Sequence, residues 1–108
     1  MSRKLETGDV VKHFKREICG TNVLEKEPNM YYYMIRRIAT HTETGEKLVV
    51  YDALYAPFEC YARPYDMFMS EVDREKYPDI KQQYRLEKID DVNEVETIIK
   101  RYYDKFIN

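Results

Sequence analysis

The side chains with chemical capacity in this chain are mostly phenols and guanidiniums. Eleven of the 108 residues are tyrosine. Tyr51, Tyr55, Tyr61 and Tyr65 crowd into one short stretch with Arg63. A phenol ring offers a flat amphipathic face that loses little entropy when fixed. A guanidinium stacks on such a ring or forks onto a carboxylate or phosphate. These five residues, with Arg36 nearby, are read as a recognition surface. The competing explanation is packing, with rings turned inward and Arg63 paired to an acid such as Asp52 or Glu59.

His13 and His41 are the two histidines, and either has the intrinsic pKa of an acid or base. Catalysis would require a nucleophile or carboxylate within hydrogen-bond reach, and the spacing identifies none. His41 with Glu43 or Glu46 puts too few ligands on one turn to hold a metal. Cys19 and Cys60 fit no metal or redox spacing and are read as reduced thiols. No cofactor fingerprint is present, and no catalytic residue is assigned, so the reading leans away from an enzyme. Lys12, His13, Lys15 and Arg16, with Arg36-Arg37, form a basic patch of the kind that interleaves with aromatics in single-strand nucleic-acid binders. Asp9 and Glu17 interrupt it, and nucleic acid is the second choice.

Composition narrows the class. Apolar residues make up 44% and charged residues 35%, with 18 basic against 20 acidic and a net charge of −2. That is a folded, well-solvated single domain, and not a chain built to neutralise many phosphates. No segment resembles a signal peptide or a membrane span, so the expectation is a cytoplasmic protein with no membrane partner.

The elements that must position these residues follow from pattern. Asp9 to Phe14 reads as a first strand, and residues 15–29 as a long loop with one helical turn around Val23–Lys26. Met30 to Ala39 is the strongest β signal. Thr42 to Glu46 is a hairpin turn with Gly45 at positive φ, and Lys47 to Tyr55 returns. Phe58 to Arg63 alternates, which assigns Phe58, Cys60 and Ala62 inward and Tyr61 and Arg63 to the opposite face. Tyr65 to Met69 is a short helical turn, residues 73–79 a charged loop, and Tyr84 to Ile89 a last strand. From Val92 the spacing is helical through Phe106, with Asp91 as N-cap and Glu94 three residues on. The expected fold is mainly β: a small SH3-like barrel or strongly curled antiparallel sheet of four or five strands, spanning residues 7–89, with a C-terminal helix over 91–107. The whole chain, 1–108, is one domain.

His13-Phe14-Lys15, then Thr42 through Tyr51, then Ala53-Leu54-Tyr55, then Ala62-Arg63-Pro64 with Met67-Phe68, resemble in order the motifs of a bacterial family of small domains, domain-of-unknown-function family 1653. The resemblance covers roughly Thr7 to Ile89, and the tail after Asp90 reads as an addition. It implies a compact β domain and no reaction. The expected function is a binding module that meets a peptide or protein partner through Tyr51, Tyr55, Tyr61, Arg63, Tyr65 and Arg36. A nucleic-acid-associated accessory protein and a small enzyme using His13 or His41 are the alternatives. The helix stripe ending at Tyr102, Tyr103 and Phe106 either packs on its own sheet or serves a homodimer.

Overall fold

In the computed structural model, which describes residues 3–107, five strands form one antiparallel sheet in the order β4-β3-β2-β1-β5. β1 is Val10–His13, β2 Tyr32–Thr40, β3 Lys47–Ala53, β4 Cys60–Pro64 and β5 Leu86–Lys88. The first four strands run as a meander and β5 returns beside β1. The sheet is not closed, and β4 and β5 form its edges. The expected small antiparallel β fold with a C-terminal helix holds in that open form.

Local chemistry explains the turns. Gly45 has φ +76° in the β2–β3 hairpin. His41 Nδ1 accepts from the backbone N–H groups of Glu43 and Thr44, so this histidine holds the turn together. A register shift between Ile35 and Arg37 marks a bulge in β2, which bends a strand and increases its twist. The long β1–β2 connection is structured by a 3-10 turn, Phe14–Glu17, and a short helix α1, Thr21–Lys26.

Alternation along the strands gives the sheet two faces. One buries Val11, Tyr33, Ile35, Val49, Tyr51, Ala53 and Leu86 against Phe68 of helix α2, Tyr65–Phe68, with Leu5 and Met69 packed alongside. The other buries Val10, Tyr32, Leu54 and Ile89 beneath Ile98 of helix α3, Val92–Ile107. Asp91 caps α3 by accepting from the N–H groups of Asn93 and Glu94 at 2.9 and 3.2 Å. The helix is therefore a second layer of the domain. Among the described residues no helix is long and apolar enough to cross a membrane.

Asn29, 1% exposed, fastens this layer. Its Nδ2 donates to the carbonyls of Leu54 and Ile98, both at 3.0 Å, and its Oδ1 accepts from Arg101 at 3.2 Å. A buried amide with its hydrogens and carbonyl all engaged adds directionality to an otherwise apolar contact. A smaller cluster, Phe14, Val72 and Ile80 with Tyr77 against it, secures the α2–β5 connection. There Glu17 accepts from the N–H groups of Lys81 and Gln82.

The assignment of Phe58, Cys60 and Ala62 as an inward row is corrected at two positions. Cys60 and Ala62 are exposed, whereas Phe58 is half-buried against Tyr102 and Phe106 of α3. Tyr61 and Arg63 pair opposite Tyr51 and Val49, on the face that carries Phe68. The physical reason is that β4 is an edge strand. α3 covers the middle of its face through Ile98, and the small side chains of β4 lie beyond that cover.

Candidate functional site

Leu5, Phe68 and Met69 cover only part of the first face. Around Tyr31, Tyr33, Tyr51 and Tyr61 it opens on a cavity of about 220 Å³, bordered also by His13, Lys15 and Arg63. Cross-strand pairing explains the gathering, since Tyr33 of β2 lies opposite Ala53 of β3 and Tyr51 lies opposite Tyr61 of β4. Ring centroids are 5.4 Å apart for Tyr33–Tyr51, 5.6 Å for Tyr33–Tyr55 and 5.7 Å for Tyr51–Tyr61. These spacings lie within the favourable range for aromatic pairs. The Tyr33 and Tyr55 hydroxyls are hydrogen-bonded to each other at 2.6 Å. Burial pushes the phenols of Tyr33, Tyr51 and Tyr55 above their ordinary pKa. They stay neutral at physiological pH.

Tyr31, just before β2, has φ +67°, a left-handed conformation that costs a bulky residue about 1–2 kcal/mol. Its ring stands between His13 and Tyr55, at centroid distances of 5.8 and 6.1 Å. His13 closes β1 and caps the 3-10 turn, with Nδ1 accepting the Lys15 N–H at 3.1 Å. That bond places the neutral ring's proton on Nε2. Burial, reinforced by the charges of Lys15, Arg63 and Arg85, lowers the His13 pKa to about 4. The ring is neutral at pH 7.

Beyond His13 lies a second cavity, about 200 Å³, lined by Phe14, Asp73, Lys76, Tyr77 and Arg85, with His13, Lys15 and Arg63 common to both. The two form one cleft, aromatic at one end and cationic at the other. Tyr rings take planar or apolar groups and the cations take an anion. No Ser, Thr or Cys lines either cavity among the described residues, and the hydrogen bond His13 makes within its own turn is to the Lys15 N–H, not to a side-chain nucleophile. Among the described residues no group of three or more His, Cys, Asp and Glu is placed to hold a metal ion.

Four of the six recognition residues come together. Tyr51, Tyr61 and Arg63 border the aromatic cavity, and Tyr55 joins through Tyr33. Tyr65, at the start of α2, packs on the flank of the same core without lining the cavity. Arg36 lies on the helix-covered face, its Nε 3.2 Å from the Asp52 carboxylate. The basic patch is also divided. Lys12 alternates to the helix side beside Tyr32. Arg16 stacks at 4.1 Å over the Tyr32 ring and donates to the Met30 carbonyl. Of that set only His13 and Lys15 line the cleft. Cys60 lies at the exposed edge, where a hydrogen bond with Asp52 raises its thiol pKa.

Tyr31, Tyr33, Lys76 and Arg85 were not singled out by sequence as site residues. The period-two spacing of Tyr31 and Tyr33 carries a signal, because it puts both on one face of a strand. Lys76 and Arg85 carry none. The α2–β5 connection delivers them from a distant part of the chain.

The profile of a family described as "Protein of unknown function (DUF1653)" matches residues 9–88. No curated protein and no solved structure matches the chain. The match runs from the start of β1 to the end of β5, takes in the whole cleft and leaves α3 outside. Because it covers well over half of the sequence, the chain belongs to the family described as protein of unknown function DUF1653.

Proposed function

We propose that this domain is a non-enzymatic binding module that presents its tyrosine-floored cleft to a peptide or protein partner. One observation carries the reading: Tyr61 is 42% exposed on the rim of a cavity whose neighbouring cation, Arg63, has no ion-pair partner among the described residues. Aromatic-lined grooves of this kind dock extended segments, with side-chain pockets supplying specificity. The strained Tyr31 backbone adds support, because such conformations persist where surrounding structure enforces them and gather at ligand sites. The meander with its fifth strand returning beside the first supports reading the sheet as an opened SH3-like barrel.

The experiment is affinity capture with three proteins in parallel. Wild type and Tyr103→Ala, altered on the exposed end of α3, are expected to retain the same partner. Tyr61→Ala is expected to lose it while keeping its fold by circular dichroism. Retention by Tyr61→Ala would sink the proposal. A second reading, single-stranded nucleic acid, is favoured by the cations beside the aromatic floor. It requires affinity that falls steeply with salt, and no binding at low salt would eliminate it.

A further inference from the structure

We infer that the cationic end of the cleft is a subsite for a phosphate monoester, carried on a phosphorylated side chain of the polypeptide partner. The inference rests on the reading of this face as a recognition surface and names the chemistry of its ligand. Four cations, Lys15, Arg63, Lys76 and Arg85, line the cavity against a single carboxylate, Asp73. That carboxylate is already engaged, accepting from the N–H groups of Glu75 and Lys76 in its own turn. None of the four cations has an acidic partner within salt-bridge distance among the described residues.

Arg85 is half-buried in the cavity wall. Its Nε is enclosed and meets no acceptor among the described residues, as is also true of Arg3 Nε outside the cavity, so what Arg85 brings to the cavity is its charge. The cations also come from separate elements: Lys15 from the 3-10 turn, Arg63 from β4, Lys76 from the 73–77 turn and Arg85 from the approach to β5. Convergence from four directions suits an acceptor with three outward oxygens better than a planar carboxylate with two.

Size and charge agree. A volume near 200 Å³ lies below the roughly 300–1,000 Å³ of whole-ligand pockets, so the cavity admits one group of a larger ligand. A phosphate monoester brings about −1.5 to −2 charges at neutral pH, closer to the surplus here than a carboxylate's single charge. Burial is the main cause of the depressed His13 pKa, and the charges of Lys15, Arg63 and Arg85 add to it in the same direction. The polypeptide is favoured over a nucleotide because the aromatic end lies on the sheet face and runs out to edge strand β4 at Tyr61, a surface suited to an extended chain.

The test is NMR titration of the whole protein at neutral pH and low ionic strength with N-acetyl-O-phosphoserine amide, its unphosphorylated form and its aspartate counterpart. The phosphorylated probe is expected to shift resonances of His13, Lys15 and Arg85 saturably, at least roughly tenfold more tightly than either control. Arg85→Gln should abolish that difference, and Arg36→Gln, on the opposite face, should leave it intact. If Arg85→Gln fails to fold, Lys76→Gln, an exposed turn residue, replaces it and should weaken binding several-fold. No saturable shift at millimolar phosphoserine, or the same affinity for the aspartate probe, overturns the subsite. Tighter binding of a 5′-phosphorylated oligonucleotide overturns the polypeptide assignment. These titrations need no natural partner, so they fail or succeed separately from capture by Tyr61.

Discussion

On the helix-covered side of the sheet four cations are engaged within the fold. Arg36 meets Asp52, Lys105 meets Glu27, Arg101 meets Asn29, and Arg16 lies flat on Tyr32. On the tyrosine face, Lys15, Arg63, Lys76 and Arg85 surround a cavity with one carboxylate that is already hydrogen-bonded to backbone. Both faces combine aromatic and basic residues, and composition alone does not separate them. What separates them is whether these cations find partners within the fold. A protein gains little from exposed ion pairs, so the helix side is explained by packing. A clustered, uncompensated set of like charges costs self-repulsion, which the proposed phosphate ligand would relieve.

The largest effect expected from this contrast is on the helix side. Ile98→Ala should cost about 2–4 kcal/mol in chemical denaturation, through lost burial and a residual cavity. Tyr61→Ala, across the sheet, should cost less than about 1 kcal/mol. Equal losses would count against Tyr61 as a residue spared from packing for the proposed recognition role.

Acid should probe the other side. His13 titrates at about 4 when folded and near ~6.5 when unfolded. Between those values the unfolded chain takes up the proton first. The contribution is therefore full above the unfolded pKa and lost as pH falls through the window. Its size is of order 2 kcal/mol once solvent screening is allowed for. His13→Asn keeps an acceptor for the Lys15 N–H and removes the titration. Its stability should drop less than wild type's between about pH 7 and about pH 4.5. An unchanged drop would place the acid sensitivity elsewhere.

The smallest effect is the most local. Arg63→Gln should change stability by no more than about 0.5 kcal/mol, yet raise the His13 pKa seen by NMR toward its ordinary value. Arg36→Gln should leave that pKa where it is. If both substitutions act alike, the cations of the two faces are not electrically separate.

Much of this fold is written locally. The Gly45 hairpin, the Asp91 cap, the α2 turn and the alternation of Tyr61 with its neighbours depend on residues close in sequence, and they are legible without coordinates. The Tyr61–Arg63 face was legible for that reason. Which of its neighbours would join it was not. Arg36 sits at the bulge in β2, and its pairing with Asp52 depends on strand register, which sequence periodicity leaves open. Arg85 reaches the cleft only because the Phe14, Val72 and Ile80 cluster draws the long connection against β1. The inward reading of Cys60 and Ala62 failed because alternation tells two faces apart without saying which is covered. The cover is supplied by α3, from the far end of the chain.

Asn29 gives that last point a practical form. Its amide joins a loop, the end of β3 and the middle of α3, so the span that defines the family and the span that folds are of different lengths. A chain stopped at Lys88 would keep every strand and the entire cleft. It would also bare Val10, Tyr32 and Leu54 as a sticky, waterless patch, with one hand of the asparagine reaching for a carbonyl no longer there. Wherever this sheet is used without its final helix, something else must serve as its roof.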